Sequence, residues 1–540
     1  MAVEPAEMPD SSLIIFWEKN SSFARINMAN NLFASIDVGS YELAMKIVEF
    51  RDNSMKVVDS VTYRLDLGTY TYTTGKLPPE KVEEVCRVLK QFSGIMKTYH
   101  VSAYKAYGTS AIRETKNTRI LLDQIEQRTG IHIDVLSNSE QRFLDYKSVA
   151  SKGSAFTDTI EKGTAIVDIG GGSIQISLFD NDKLNLTQNM KLGVLRLREM
   201  LSNLSIKPSR HEELLDEMIG SQLAVFSKLY LKNKKIENLI IVDDYVSPIT
   251  YIRTKDSSEP GFVSSDRFEA FFQRLKNMDP MEFGRKYSVA EENIPLVFVA
   301  AAIIRNVVEI TGAKTIWCPG VSLGDGIAYE YGEEKQLISS DHNFDEDITA
   351  CAHSVAARYM SNDKRAQTLE NICIKIFDSM KKVHGLTDRE RLLLRLATIL
   401  HDCGKYISMY NLAACSYDII MSTEIIGLSH EEREIVANVV KYNHQFLDYS
   451  ASMAGIDGMS ERAYTCVVKL TAILRLANGL DKSQKQKFGD IRTTLKDNVL
   501  TITVRTNSDI SYERGMFDKR AEFFEEVFCV KPVIKQIAKL

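Results

Sequence analysis

Residues 165–173 read Ala165-Ile166-Val167-Asp168-Ile169-Gly170-Gly171-Gly172-Ser173, and the fold turns on this stretch. A short apolar run of strand length ends at an aspartate, and three consecutive glycines follow. Glycine takes φ > 0 without steric cost. The triplet is therefore expected to turn sharply and expose successive backbone N–H groups, which cradle phosphate oxygens. An aspartate at the strand end suits Mg²⁺, directly or through water. A plain hairpin needs one or two glycines, not an aspartate plus three, so the phosphate reading is preferred. Residues 174–179 resume as a strand and residues 183–191 supply a third.

The same grammar occurs once before. Residues 32–37 are a short apolar strand ending at Asp37, Val38-Gly39-Ser40 is the turn, and residues 43–48 and 55–61 are the next two strands. A helix follows over residues 79–92, with Val82, Val85, Leu89 and Phe92 on one face. A unit that occurs twice is an internal duplication. It makes Asp37 and Asp168 the facing walls of a cleft. Strands and helices alternate to about residue 330, which predicts α/β layers with mixed sheets.

The chain has 540 residues, more than one core usually carries. Its net charge of −5 gives no case for a nucleic-acid partner, so a polyanionic substrate would have to meet local cations and metal ions. The eight cysteines are scattered with no C-x-x-C pair, as expected for free thiols in a reducing, cytoplasmic setting. The apolar runs read as too short for a bilayer, and no membrane partner is expected. Residues 1–30 read as an extension outside the fold, with Met28 just before the first strand.

Two further segments carry chemistry. Thr109-Ser110-Ala111-Ile112-Arg113 enters a helix, with Thr109 or Ser110 as its cap. Arg113 and Asn117 share a face at i,i+4, and a guanidinium forks onto phosphate oxygens. Ser137-x-x-Glu140 is a capping box. Glu140 is also a candidate general base toward a water, and the two roles are compatible.

In their order along the chain these motifs resemble the exopolyphosphatase/guanosine pentaphosphate phosphohydrolase (Ppx/GppA) family. Asp37-Val38-Gly39-Ser40 resembles its first loop, and Thr109–Arg113 with Asn117 matches its T-S-A-x-R…N run. Ser139-Glu140-Gln141-Arg142 is similar to its catalytic-glutamate segment. Asp168 to Ser173 matches its glycine loop, and Gly193-Val194-Leu195-Arg196-Leu197 its G-x-x-R-L run. The resemblance implies two actin-like (ribonuclease H-like) α/β domains, over residues 31–158 and 159–335, enclosing a central cleft. It implies removal of terminal phosphate from polyphosphate or pppGpp. Catalysis falls to Glu140, Asp168 and Arg113, and phosphate binding to Ser40, Arg113, Gly170, Gly171, Gly172 and Ser173. Mg²⁺ falls to Asp37 and Asp168. A homodimer is expected.

Beyond residue 341 the pattern is nearly all helical. Thr387-x-x-Glu390 is a capping box, with Leu393, Leu396, Ile399 and Leu400 as the apolar stripe behind it. Ile399-Leu400-His401-Asp402-Cys403-Gly404-Lys405 looks like an HD motif, which implies an all-α HD-like domain over residues 336–485. A hairpin at 490–505, turning at Asp497-Asn498, and a helix at 520–528 predict a small α+β subdomain over 486–540.

The chain departs from the family pattern at named places. Tyr41-Glu42 follows Ser40, Gln175 replaces a glutamate, Asp243-Asp244 stands in the second glycine loop, and Leu323-Gly324-Asp325-Gly326 lacks an arginine. In the HD-like region Arg365, Ala413, Cys415 and Asn478 stand where ligands are expected, so no metal is expected at His401 and Asp402. The sequence leaves two readings, a phosphoanhydride hydrolase or a catalytically degenerate regulatory protein that binds a phosphate ligand or (p)ppGpp.

Overall fold

The computed structural model describes residues 31–204, 210–232, 234–255, 258–340, 342–447 and 459–538. The expected extension over residues 1–30 lies outside them.

The duplication is visible in the sheets. β1 (Leu32–Val38), β2 (Glu42–Arg51) and β3 (Ser54–Arg64) form an antiparallel meander. β4 (Ala103–Gly108) then adds to β1 in parallel and β5 (Asp134–Val135) to β4, giving the order β3-β2-β1-β4-β5. β6 (Thr164–Ile169), β7 (Ile174–Asp180) and β8 (Lys183–Met190) repeat the meander. β9 (Asn238–Asp243) pairs in parallel with β6, and β11 (Thr315–Trp317) and β10 (Phe262–Ser264) complete the order β8-β7-β6-β9-β11-β10. Sheets of mixed pairing, as the alternation predicts, thus share one strand order. Asp37 and Asp168 each stand one residue before the end of the strand that their meander and their parallel neighbour flank.

Burial explains the strand types. Every residue of β6 is buried, as a central strand with both faces covered requires. β3 alternates between half-buried and exposed residues, as an edge strand does. The helix predicted at 79–92 runs from Pro79 to Thr98 and buries Val82, Val85, Leu89 and Phe92, with Met96 beyond them. The helix Ile294–Thr311 corrects the reading of apolar length. With residues 291–293 it is long and apolar enough to cross a membrane, but it carries the core beneath the second sheet, where Ala300 to Ile304 are fully buried.

Helices Phe344–Arg358, Asp363–Ser379, Asp388–Leu400, Leu412–Ser422, His430–His444 and Glu461–Leu480 follow. One continuous core joins them to the first half, from Phe33 and Phe143 through Ile348 and Phe377 to Leu474 and Leu500. The terminal hairpin forms as predicted, β12 (Ile491–Lys496) with β13 (Val499–Arg505), and Asp497 and Asn498 turn at φ 48° and 56°. The last helix is longer than expected, Ser511–Phe528. β14 (Lys531–Ile537), which pairs in parallel with β13, was not foreseen.

Candidate active site

Asp37 on β1, Glu42 at the start of β2, Asp168 on β6 and Asp244 just after β9 share one electrostatic neighbourhood. The Oδ1 atom of Asp37 is buried and has no hydrogen-bond partner. Burial, then Asp244 and Glu42, raise its carboxyl pKa well above the usual range. Glu42 is pushed up to about 8, by burial and then by Asp244, against the pull of Arg64. Asp244 is raised by burial and by Asp168 and eased by Lys46. Magnesium takes one or two carboxylates and otherwise keeps water and phosphate oxygens. Asp37, with a buried unpaired oxygen among like charges, fits such an ion. Among the described residues no group of three or more His, Cys, Asp or Glu is arranged to hold a metal, so a protein-only cage is absent there.

Asp168 already carries a cation. Arg142, from the helix Asn138–Ala150, ion-pairs with it and donates to Ser173 Oγ at 3.0 Å. Asp145, one turn on, lies 3.7 Å from the same guanidinium. Burial and then Asp168 raise the Asp145 carboxyl pKa. Arg142 stands in the sequence only as the last residue of the Ser139–Arg142 segment, with no role given to it, and Asp145 has no motif; what marks both is the buried face of the helix that Glu140 opens.

The glycine loop works differently from the expectation. Gly170, Gly171 and Gly172 all lack positive φ, so no left-handed turn builds the cradle. Close packing demands glycine instead. A Cβ on Gly171 would stand 3.0 Å from Leu195 and 3.2 Å from Ser40, and one on Gly172 2.7 Å from the Tyr72 hydroxyl. The carbonyls of Gly170, Gly171 and Gly172 accept from Val194 N, Leu195 N and Arg196 Nε at 3.0, 3.0 and 2.9 Å. A trans peptide sets N–H opposite C=O, so the loop turns its amide side away from these donors.

Ser40 and Ser110 share a hydrogen bond of 2.7 Å, and Tyr72 bonds both at 2.9 Å. Arg113 donates to Leu136 O at 2.6 Å, Asn138 Oδ1 at 2.5 Å and Gln141 Oε1 at 3.4 Å, all neutral acceptors. Burial and then the charge of Arg142 push its pKa down to about 10. Glu140 completes its capping box, with Oε2 accepting from Ser137 N at 2.9 Å and its own N–H donating to Ser137 Oγ at 3.2 Å.

At the second loop Asp243 accepts from the N–H groups of Tyr245, Val246 and Ser247 at 3.3, 2.8 and 2.6 Å. Its own carboxylate thus fills the amides of that turn. Burial outweighs these bonds and pushes its pKa up to about 7. Asp325 accepts from Ser322 N at 2.8 Å and pairs with Lys46 at 2.6 Å, a helix-capping role.

The segment that carries His401 and Asp402 folds around Arg365. Its guanidinium ion-pairs with Asp402 and donates to Asn478 Oδ1 at 2.6 Å, with Asp481 at 3.7 Å. Burial acts to raise the Asp402 carboxyl pKa, but His401 and then Arg365 hold it far below the usual range.

The family model described as the Ppx/GppA phosphatase family matches residues 46–334, and that described as Ppx/GppA phosphatase, domain III, matches residues 349–520. A guanosine-5'-triphosphate,3'-diphosphate pyrophosphatase of Vibrio atlanticus is 20% identical over 490 residues, 88% of this chain and 92% of its own length. One of Aeromonas hydrophila is 20% identical over 412 residues, covering 75% and 79%. The crystal structure of an exopolyphosphatase from Cytophaga hutchinsonii shares the fold at TM-score 0.50 and 18% identity, over 57% of this chain and all of that one. With the first model covering more than half of its length, this chain belongs to the Ppx/GppA phosphatase family, whose members hydrolyse phosphoanhydrides.

Proposed function

We propose that the cleft removes the terminal phosphoryl group from a phosphoanhydride chain, either inorganic polyphosphate or pppGpp. The observation that carries this reading is Arg113. It is a largely buried guanidinium whose hydrogen bonds go to neutral acceptors, and no carboxylate lies within ion-pair distance among the described residues. Buried charges are ordinarily paired. Among the charged groups around it, the largest influence, ahead of the opposing pulls of Glu114 and Glu424, is a second cation, Arg142. A phosphate between or beside them relieves that repulsion.

In this reading Arg113, Ser40, Ser110 and the amides of Gly171, Gly172 and Ser173 hold the terminal phosphoryl group and meet its developing charge; the Gly170 N–H is taken by Ser173 O at 3.0 Å. Glu140 orients and deprotonates the attacking water, using the oxygen that the cap leaves over. Mg²⁺ would be held by Asp37 with Asp168 and would draw charge off the phosphoryl oxygens. Arg142 fixes the Asp168 carboxylate from behind. The setting is a reducing, cytoplasmic one, which suits eight free cysteines.

A second reading has its own support. Asp243 occupies its own loop amides and Asp244 adds charge beside Asp168, as in a site that binds a short phosphate ligand without turnover. Phosphate release from polyphosphate and from pppGpp, with and without Mg²⁺, separates the two. Release is expected with at least one substrate. Micromolar binding of either with no release would leave the regulatory reading.

A further inference from the structure

We propose that Tyr72 is a phosphate-positioning residue. Its hydroxyl, with those of Ser40 and Ser110, forms a three-donor seat for one oxygen of the bound phosphoryl group. The inference rests on the anion-binding reading of the cleft and adds a residue that no motif supplies.

The three hydroxyl oxygens form a nearly equilateral triangle of 2.7, 2.9 and 2.9 Å. They come from three separate pieces of chain. Ser40 follows β1, Ser110 opens the helix Ser110–Glu114, and Tyr72 lies on the helix Leu67–Thr74. A hydroxyl carries one proton that rotates to suit its surroundings. Without a ligand each can donate to the next, and a closed ring satisfies all three. An oxygen set over the face of a triangle of this size lies at hydrogen-bond distance from every corner. Three protons then swing out of the ring toward it and no heavy atom moves. Three neutral bonds are exchanged for three bonds to an anion, each roughly twice as strong.

The surroundings favour this exchange. The Tyr72 hydroxyl lies so close to Gly172 that a Cβ there would come within 2.7 Å of it, which places the triangle against the glycine loop. The Arg196 guanidinium sits over the Tyr72 ring at 4.9 Å while its Nε holds the Gly172 carbonyl, so a cation clamps ring and loop together. Burial raises the phenol's pKa, so at neutral pH Tyr72 keeps the proton it would donate.

Tyr72→Phe keeps the ring and its stack under Arg196 and removes only the donor. Full-length wild type, Tyr72→Phe and Arg113→Gln are compared by calorimetry with pyrophosphate and with inorganic tripolyphosphate. Tyr72→Phe is expected to weaken binding by roughly 10- to 100-fold, the worth of one hydrogen bond to a charged group, with the melting temperature lowered by no more than a few degrees, as the loss of the hydroxyl's two neutral hydrogen bonds entails. The tyrosine ultraviolet difference spectrum that pyrophosphate produces in the wild type is expected to disappear in the variant. Unchanged affinity overturns the proposal. Tighter binding also overturns it and makes the phenol a plug that a ligand must displace. If Arg113→Gln weakens binding and Tyr72→Phe does not, the anion site stands and the role of Tyr72 falls. If wild type binds neither ligand, both fall.

Discussion

Glu140 is asked to do two things with one carboxylate. Oε2 accepts the Ser137 N–H and starts the helix Asn138–Ala150, which carries Arg142 and Asp145 to Asp168. The other oxygen is the one assigned to water. Glutamine serves a capping box as well as glutamate does, so Glu140→Gln is expected to leave the fold intact. It cannot take a proton, so kcat is expected to fall about 10²- to 10⁴-fold. Stopped or coupled phosphate assays check this, and unchanged turnover would reduce Glu140 to a cap. Arg142 acts at the same scale. Its role was invisible in the sequence because an arginine two residues beyond a capping glutamate is ordinarily a solvated cation, and only packing buries it on Asp168.

At the scale of elements, the proposed function makes the strand-to-helix turn after β9 the place where ligand length is set. Asp243 and Asp244 are adjacent but not equivalent. Asp243 holds three backbone N–H groups ahead of the helix Ser247–Thr254, whereas Asp244 faces Asp168 and Lys46. Asp243→Ala is therefore expected to cost about 1 kcal/mol of stability, because the three N–H groups lose their side-chain acceptor, and to leave polyphosphate affinity unchanged. Asp244→Asn removes a like charge beside the phosphate path, and affinity for long polyphosphate is expected to rise about tenfold. Pyrophosphate, anchored nearer Arg113, should respond less. Calorimetry and thermal melts on the two single variants test the division. A gain in polyphosphate affinity from Asp243→Ala without a loss of melting temperature would show that its carboxylate does not own those amides.

At the scale of the whole molecule, two buried polar centres tie the helical layer to the catalytic half and close it on itself. Around Arg365 a guanidinium charge sits among Asp402, Asn478 and Asp481. A positive ion is thus already supplied by the chain, and elemental analysis of purified protein is expected to find no stoichiometric transition metal. Metal that disappears in His401→Ala would contradict this. The other centre joins the helix Asn138–Ala150 to the helix Phe344–Arg358. His342 Nε2 and the Tyr146 hydroxyl both meet Asp347 Oδ2, at 2.6 and 2.5 Å. Burial lowers the His342 pKa, but the hydrogen bond and charge of Asp347, helped by Asp182 and Glu333, outweigh it and the net shift is upward. A group with a raised folded pKa stabilises fully below its unfolded pKa, near 6.5 for histidine, and loses that contribution as pH rises through the folded value. Melting temperature is expected to decline from about pH 6 toward pH 8. The decline should be smaller in His342→Phe, and an identical pH profile in that variant would remove His342 from the account.

The sequence by itself determined what local chemistry can encode. Strand periodicity, the repeated aspartate-turn unit, the capping boxes at Glu140 and Glu390 and the Asp497-Asn498 turn all depend on residues a few positions apart, and each lies where its pattern put it. The glycine triplet marked the right loop for the wrong reason, because φ is a local property and the close approach of Leu195, Ser40 and Tyr72 is not. β14 could not be read because a short strand of mixed character acquires its identity only from its pairing with β13. The same holds for the site's inner wall. Tyr72 meets Ser110 across 38 residues and Arg142 meets Asp168 across 26. Asp402 meets Arg365 across 37. Side chains so far apart in sequence acquire partners only when separate elements close on one another, and tertiary packing alone chose which charges are buried and what neutralises them.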